Sequence, residues 1–167
     1  ATAASMKPVA PPAPSGALLD FRPVLRNRTA MGYILGYGAH CFELYGMRTW
    51  IVAFWTYVAA RHGTGALLEP ITVSVLVTVL AMPASILGNE FSIRFGRHRA
   101  VTVIQVLSAL VALAIGALAG GAPWLLLVLV LCYAVTVPAD SGSLTAGMSA
   151  SADPRFKGAT MAMHSCV

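Results

Sequence analysis

Four long apolar runs, separated by short polar or basic stretches, organise the chain: residues of about 30–60, 68–91, 100–119 and 123–148. A helix rises 1.5 Å per residue, so about 20 apolar residues cross a hydrocarbon core of roughly 30 Å. Each run is long enough to do so. The first would extend roughly 45 Å, so it must tilt, protrude or break, and Gly46 is its expected flexible point. Pro83 in the second run and Pro138 in the fourth each remove a backbone hydrogen bond and predict kinks. A polar loop at 151–157 follows, and a fifth helix is expected to open at Gly158. The pattern predicts an all-α fold, a polytopic integral membrane helix bundle over residues 29–167. Residues 1–28 read as a linker, Pro-rich at Pro8, Pro11, Pro12 and Pro14 and ending in a basic flank. The chain does not begin with Met and stops as the fifth helix starts, so both ends look cut and the bundle is expected to be partial.

Composition agrees with this pattern. Hydrophobic residues make up 57% of the chain and charged residues 10%, far from the roughly 25% charged content of a soluble domain. The formal charge of +5 would suit nucleic acid only if the basic residues shared one solvated face. They fall between apolar runs instead, so no nucleic-acid partner is expected and the lipid bilayer is. Lys7, Arg22, Arg26 and Arg28 precede the first run, Arg94, Arg97 and Arg99 join the second to the third, and Arg155 and Lys157 follow the fourth. The opposite loops hold only Arg61. By the positive-inside rule the N-terminal end is expected to be cytoplasmic. Trp55, Tyr57 and Trp124 are expected as an aromatic belt at the far boundary. Gly32 with Gly36, Gly116 with Gly120, and the series Ser74, Thr78, Ala81 and Ser85 are expected close-packing faces. Cys41, Cys132 and Cys166 form no metal or disulfide pattern.

The first run carries the chemistry. At 100° per residue Tyr33, Tyr37, His40 and Leu44 share one line, flanked by Glu43 on one side and Arg48 on the other. Lipid would not accept such a stripe, so it faces protein or water, and intramembrane ionisable groups mark pathways by default. An imidazole and a carboxyl one turn apart can pass a proton or bind a polar solute. The other interpretation is a static interhelical hydrogen-bond cluster. The run Arg94 to Arg99, RFGRHR, lies at a turn that Gly96 allows to be sharp, and by charge alone it satisfies the positive-inside rule. Asp140, beside Pro138, is expected near the cytoplasmic end of the fourth run, either within reach of Arg94 or Arg97 as a gate or as a solvated helix-end carboxylate. No P-loop, H-E-x-x-H or G-x-S-x-G occurs, so neither an enzyme nor a metal or other cofactor is expected.

RFGRHR between the second and third runs, preceded by Gly88, resembles the loop motif G-x-x-x-D-R-x-G-R-R of the major facilitator superfamily. Aligned on Gly96, the arginines fall on Arg94, Arg97 and, one place late, Arg99, with His98 in an arginine position. The acidic position falls on Ile93 and the first glycine on Asn89, with Gly88 and Glu90 displaced from register. The stretch from Gly32 to Phe54 resembles helix 7 of bacterial members, and Asp153 to Ser165 is similar to the junction of helices 10 and 11. The resemblance implies helices 7 to 10 and the start of 11 of a twelve-helix transporter, with helices 1 to 4 as the pseudo-symmetric rival. It further implies alternating access, a small-molecule substrate near Tyr33, Tyr37, His40 and Glu43, a cytoplasmic gate at Arg94, Arg97 and Asp140, and the missing half of the transporter as partner. Proton coupling would run through Glu43 or His40. The alternative is a small four-span assembly protein without transport activity.

Overall fold

The computed structural model describes residues 21–63 and 67–167, so the Pro-rich part of the expected linker lies outside the described residues. Seven α-helices follow one another: α1 Arg22–Arg26, α2 Arg28–His62, α3 Pro70–Phe95, α4 Arg97–Ala117, α5 Pro123–Thr136, α6 Ser141–Ser151 and α7 Lys157–Ser165. Single 3-10 turns at Val137–Asp140 and Pro154–Phe156 join the last three. No strand occurs among the described residues, so the fold is an all-α bundle.

Local chemistry explains the boundaries. Asn27 caps α2 by accepting the Ala30 N–H at 3.1 Å, and its amide donates to the Ser151 carbonyl at 2.7 Å, tying the start of α2 to the end of α6. The basic flank before α2 is helical rather than extended, because Val24 of α1 buries itself against Ile34 and Met148. Pro70 and Pro123 open α3 and α5 at positions where a missing N–H costs nothing. Gly96, at φ 89°, makes the expected sharp turn between α3 and α4. α3 continues through Pro83, whereas at Pro138 the helix gives way to the Val137–Asp140 turn. α2 runs unbroken through Gly46 for 35 residues, so the expected flexible point is not a break.

α2 and the α5–α6 segment lie antiparallel in one register. Asn27 meets Ser151, Tyr33 meets Gly147, Gly36 meets Leu144 and His40 meets Asp140. Two apolar cores form along α2. One joins Val24, Ile34 and Met148 near the basic end. The other joins Met47, Ile51, Trp55 and Val58 to Val73 and Val77 of α3 and to Leu126, Val130 and Ala134 of α5. Trp55 belongs to this second core and donates to the Leu68 carbonyl at 2.8 Å, so it is not the belt residue expected, while Tyr57 and Trp124 are exposed.

Among the described residues three segments are long and apolar enough to cross a membrane: α3, α4, and α5 to α6 taken together. α2 is the longest helix but, with its polar stripe, is not among these three, against the four spans expected. Outward side chains such as Val75, Val79, Met82 and Ile86 on α3 and Leu107, Leu110 and Leu113 on α4 are apolar. In water such faces would be polar, so this is a membrane protein.

Candidate functional site

Between the two apolar cores lies a polar layer built from α2 and its neighbours. His40 Nδ1 stands 2.7 Å from Asp140 Oδ1, and both side chains are 3% exposed. Neither atom has a well-angled hydrogen-bond partner, so the contact is a close approach that becomes an ion pair when His40 carries a proton. Asp140 immediately precedes α6, where an aspartate usually accepts a backbone N–H of the first turn. It makes no such bond. Its carboxylate is turned to His40 instead. The backbone behind it is held from α3: Gly88 packs so tightly on the Ala139 carbonyl that a Cβ would overlap it. The Ser85 and Ser141 hydroxyls are 2.9 Å apart, and Ser141 donates to the Pro138 carbonyl at 2.9 Å.

The depth of Asp140 corrects its expected partner. α6 runs on to Ser151, so Asp140 lies eleven positions, roughly 16 Å, from the basic end of the bundle. Arg94 and Arg97 sit at that end, on the two sides of Gly96. Arg94 is exposed, Arg97 is half-buried with its Nε unbonded, and neither pairs with Asp140; nor is Asp140 solvated, being 2% exposed. Among the loop-motif residues Gly88 packs on the turn that carries Asp140, whereas Glu90, Gly96 and Arg99 are exposed.

The rest of the α2 stripe divides among different helices. Glu43 accepts a hydrogen bond of 2.6 Å from Ser108 of α4, and the Tyr133 hydroxyl of α5 also reaches it. Tyr37 stacks on His164 of α7 with ring centroids 3.9 Å apart, and its ring lies 5.7 Å from that of His40. Tyr33 fills the space left by Gly147. A cavity of about 730 Å³ between α2, α6 and α7 is lined by Tyr37, Cys41, Thr145, Met148 and His164. A second, of about 420 Å³, is lined by Arg28, Tyr33, His98 and Gln105. His40 and Glu43 line neither. Arg48 is exposed and belongs to none of these contacts.

No family model, curated protein or solved structure matches the chain. The site is therefore defined by its own geometry. It unites His40 with Asp140 and Glu43 with two hydroxyls, groups that can hold a proton or orient a polar solute. Sequence reasoning did not find Ser108, Tyr133 or His164. Ser108 and Tyr133 carry a signal in retrospect, since each is a polar residue in an otherwise apolar run. The expected close-packing glycines also shift: Gly36 meets Leu144, while Gly32 and Gly116 meet nothing. The tightest contacts belong to Gly38 against Val167, Gly88 and Gly147.

Proposed function

We propose that this chain is the second-half segment of a secondary active transporter of the major facilitator type, moving a small solute across a bacterial inner membrane by alternating access. One observation carries this assignment. His40 and Glu43 of a single long helix are met by Asp140, Ser108 and Tyr133 from other elements, in a layer between two apolar cores. Apolar packing would stabilise a static bundle at lower desolvation cost, so a retained polar layer points to a pathway. The tightened 3-10 turn at Val137–Asp140 supports it, because a 3-10 stretch within a long helix often marks a functional hinge. Arg48 adds to this, since an exposed cation within a long membrane helix calls for a water-filled cavity or a further bundle against α2. The RFGRHR turn resembles the family's loop motif, and the positive-inside rule supports a cytoplasmic placement for it.

Uptake and efflux of a radiolabelled solute panel by vesicles carrying the complete protein test this function. Accumulation driven by a gradient, reduced in the Glu43→Gln variant, is expected. Vesicles that accumulate nothing beyond the empty control in either direction would remove it.

A further inference from the structure

We propose that His40 and Asp140 form a proton-binding site, and that a proton taken up there releases the 137–140 turn from α2. The pair's role as the coupling site rests on the transport function proposed above; proton binding itself does not. At 2.7 Å, with both side chains 3% exposed, an imidazolium and a carboxylate neutralise each other out of water. A second proton, taken from water, adds to the Asp140 carboxylate and makes one new O–H bond. No other bond forms or breaks. The attraction to His40 is lost, and the imidazolium is left buried without a counter-charge, a state that low-dielectric surroundings strongly disfavour.

The turn is built to respond. It is a single 3-10 turn, tied to α5 by the Val137 N–H on the Tyr133 carbonyl and to α6 by the Ser141 N–H on the Pro138 carbonyl, while Pro138 itself has no N–H to bond back into α5. The freed Asp140 side chain also has a second place to go. It stands at the cap of α6, where a carboxyl oxygen accepts from the N–H of Gly142 or Ser143, a bond unmade in the paired state. The α3 side stays pinned, because Gly88 lies on the Ala139 carbonyl and Ser85 reaches Ser141. Release therefore acts on the α2 side. An element with two alternative partners for one carboxyl is the kind of bistable part that protonation biases.

Few other charges bear on the pair. On α2, Tyr37 is the nearest titratable ring, Glu43 is engaged by Ser108 and Tyr133, and Arg48 is exposed. On α7, His164 stacks on the far side of Tyr37. The α3 residues against the turn, Ser85, Gly88 and Asn89, are uncharged, while Glu90 and Arg94 are exposed. α4 has no Asp, Glu, Lys, Arg or His after Arg99, α6 has none at all, and α5 offers only Cys132 and Tyr133.

Backbone hydrogen exchange over residues 137–147, read by mass spectrometry on the chain in lipid nanodiscs without solute, tests the site. Rates are corrected for the intrinsic pH dependence of exchange. Acidification is expected to speed corrected exchange there by about tenfold or more. Asp140→Asn should abolish that response, whereas Glu43→Gln should keep it. His40→Gln retains the carboxyl but has no imidazolium to strand, so acidification should slow rather than speed its exchange as the unpaired carboxylate is neutralised, and this variant replaces Asp140→Asn where that one does not fold. A wild-type profile without pH response, or an acid acceleration that survives in Asp140→Asn or His40→Gln, overturns the site. Transport could fail while this response remains, so the two proposals fall separately.

Discussion

Removing one member of the His40–Asp140 pair should cost far more than removing both. At 2.7 Å and an effective dielectric of about 20, the gross attraction of two unit charges is about 6 kcal/mol. Desolvation of both groups offsets much of it, so the net worth of the pair is small. A single substitution such as His40→Leu leaves Asp140 buried among α2, α3 and α6 with no counter-charge, which costs about 3–5 kcal/mol. Asp140→Leu strands His40 in the same way. The double variant removes both charges and places apolar side chains in the layer between two apolar cores, so its cost should fall well below the sum of the singles. The assay is reversible unfolding in mixed micelles followed by tryptophan fluorescence, analysed as a double-mutant cycle. A coupling of about 2 kcal/mol or more is expected. Additive losses, with the double variant as destabilised as the two singles together, would refute the pairing.

Four further outcomes follow from the packing and the loops. Gly88→Ala should destabilise the bundle by about 1–3 kcal/mol, because the added methyl meets the Ala139 carbonyl and neither backbone can yield; thermal unfolding in detergent reads it. Gly147→Val should collide with the Tyr33 ring, and Tyr33→Ala in the same chain should recover much of the loss, which a shift in the unfolding midpoint would show. Trp55→Phe should cost about 1 kcal/mol for the lost bond to the Leu68 carbonyl, while Trp124→Phe at the exposed rim should be nearly neutral in the same unfolding assay. Hydrogen bonds from the Arg155 backbone N–H and side chain hold the Asp153 carboxyl below the usual carboxylate range. The turn before α7 should therefore keep this bond above the ordinary aspartate value of about 3.9 and lose it only as pH falls through the lower folded value. A carboxyl NMR titration of Asp153 with a midpoint at or above the ordinary value would contradict this.

The periodic and compositional signals carried far in this chain. Apolar run lengths located the helices, Pro138 marked the break between α5 and α6, and Gly96 marked the turn between α3 and α4. Partner choice was less legible, because pairing across helices depends on depth and register rather than on local pattern. Asp140 was matched to arginines by charge sign. Counting residues from the basic end places it instead opposite His40, twelve positions beyond Arg28 on an antiparallel helix. The register that brings them together is fixed by Gly36 against Leu144, on a face that small-residue spacing had marked, and by Gly147 against Tyr33, which that spacing did not single out. The α2 stripe was read as one polar face, but its members turn to different neighbours because α4, α5, α6 and α7 surround the helix at different heights. Trp55 looked like a boundary residue by position, yet it is buried and Leu68, just before α3, supplies a carbonyl for its N–H.

Solute-triggered proton movement in proteoliposomes of the complete protein, followed with an entrapped pH-sensitive dye across a panel of small solutes, joins the polar layer to transport in one observation. Wild-type vesicles should show a proton flux started by at least one solute, and Asp140→Asn vesicles should lose it while still binding that solute. A wild-type protein that moves no protons with any solute, or an Asp140→Asn protein that moves them as fast, would contradict a proton-coupled pathway through His40 and Asp140.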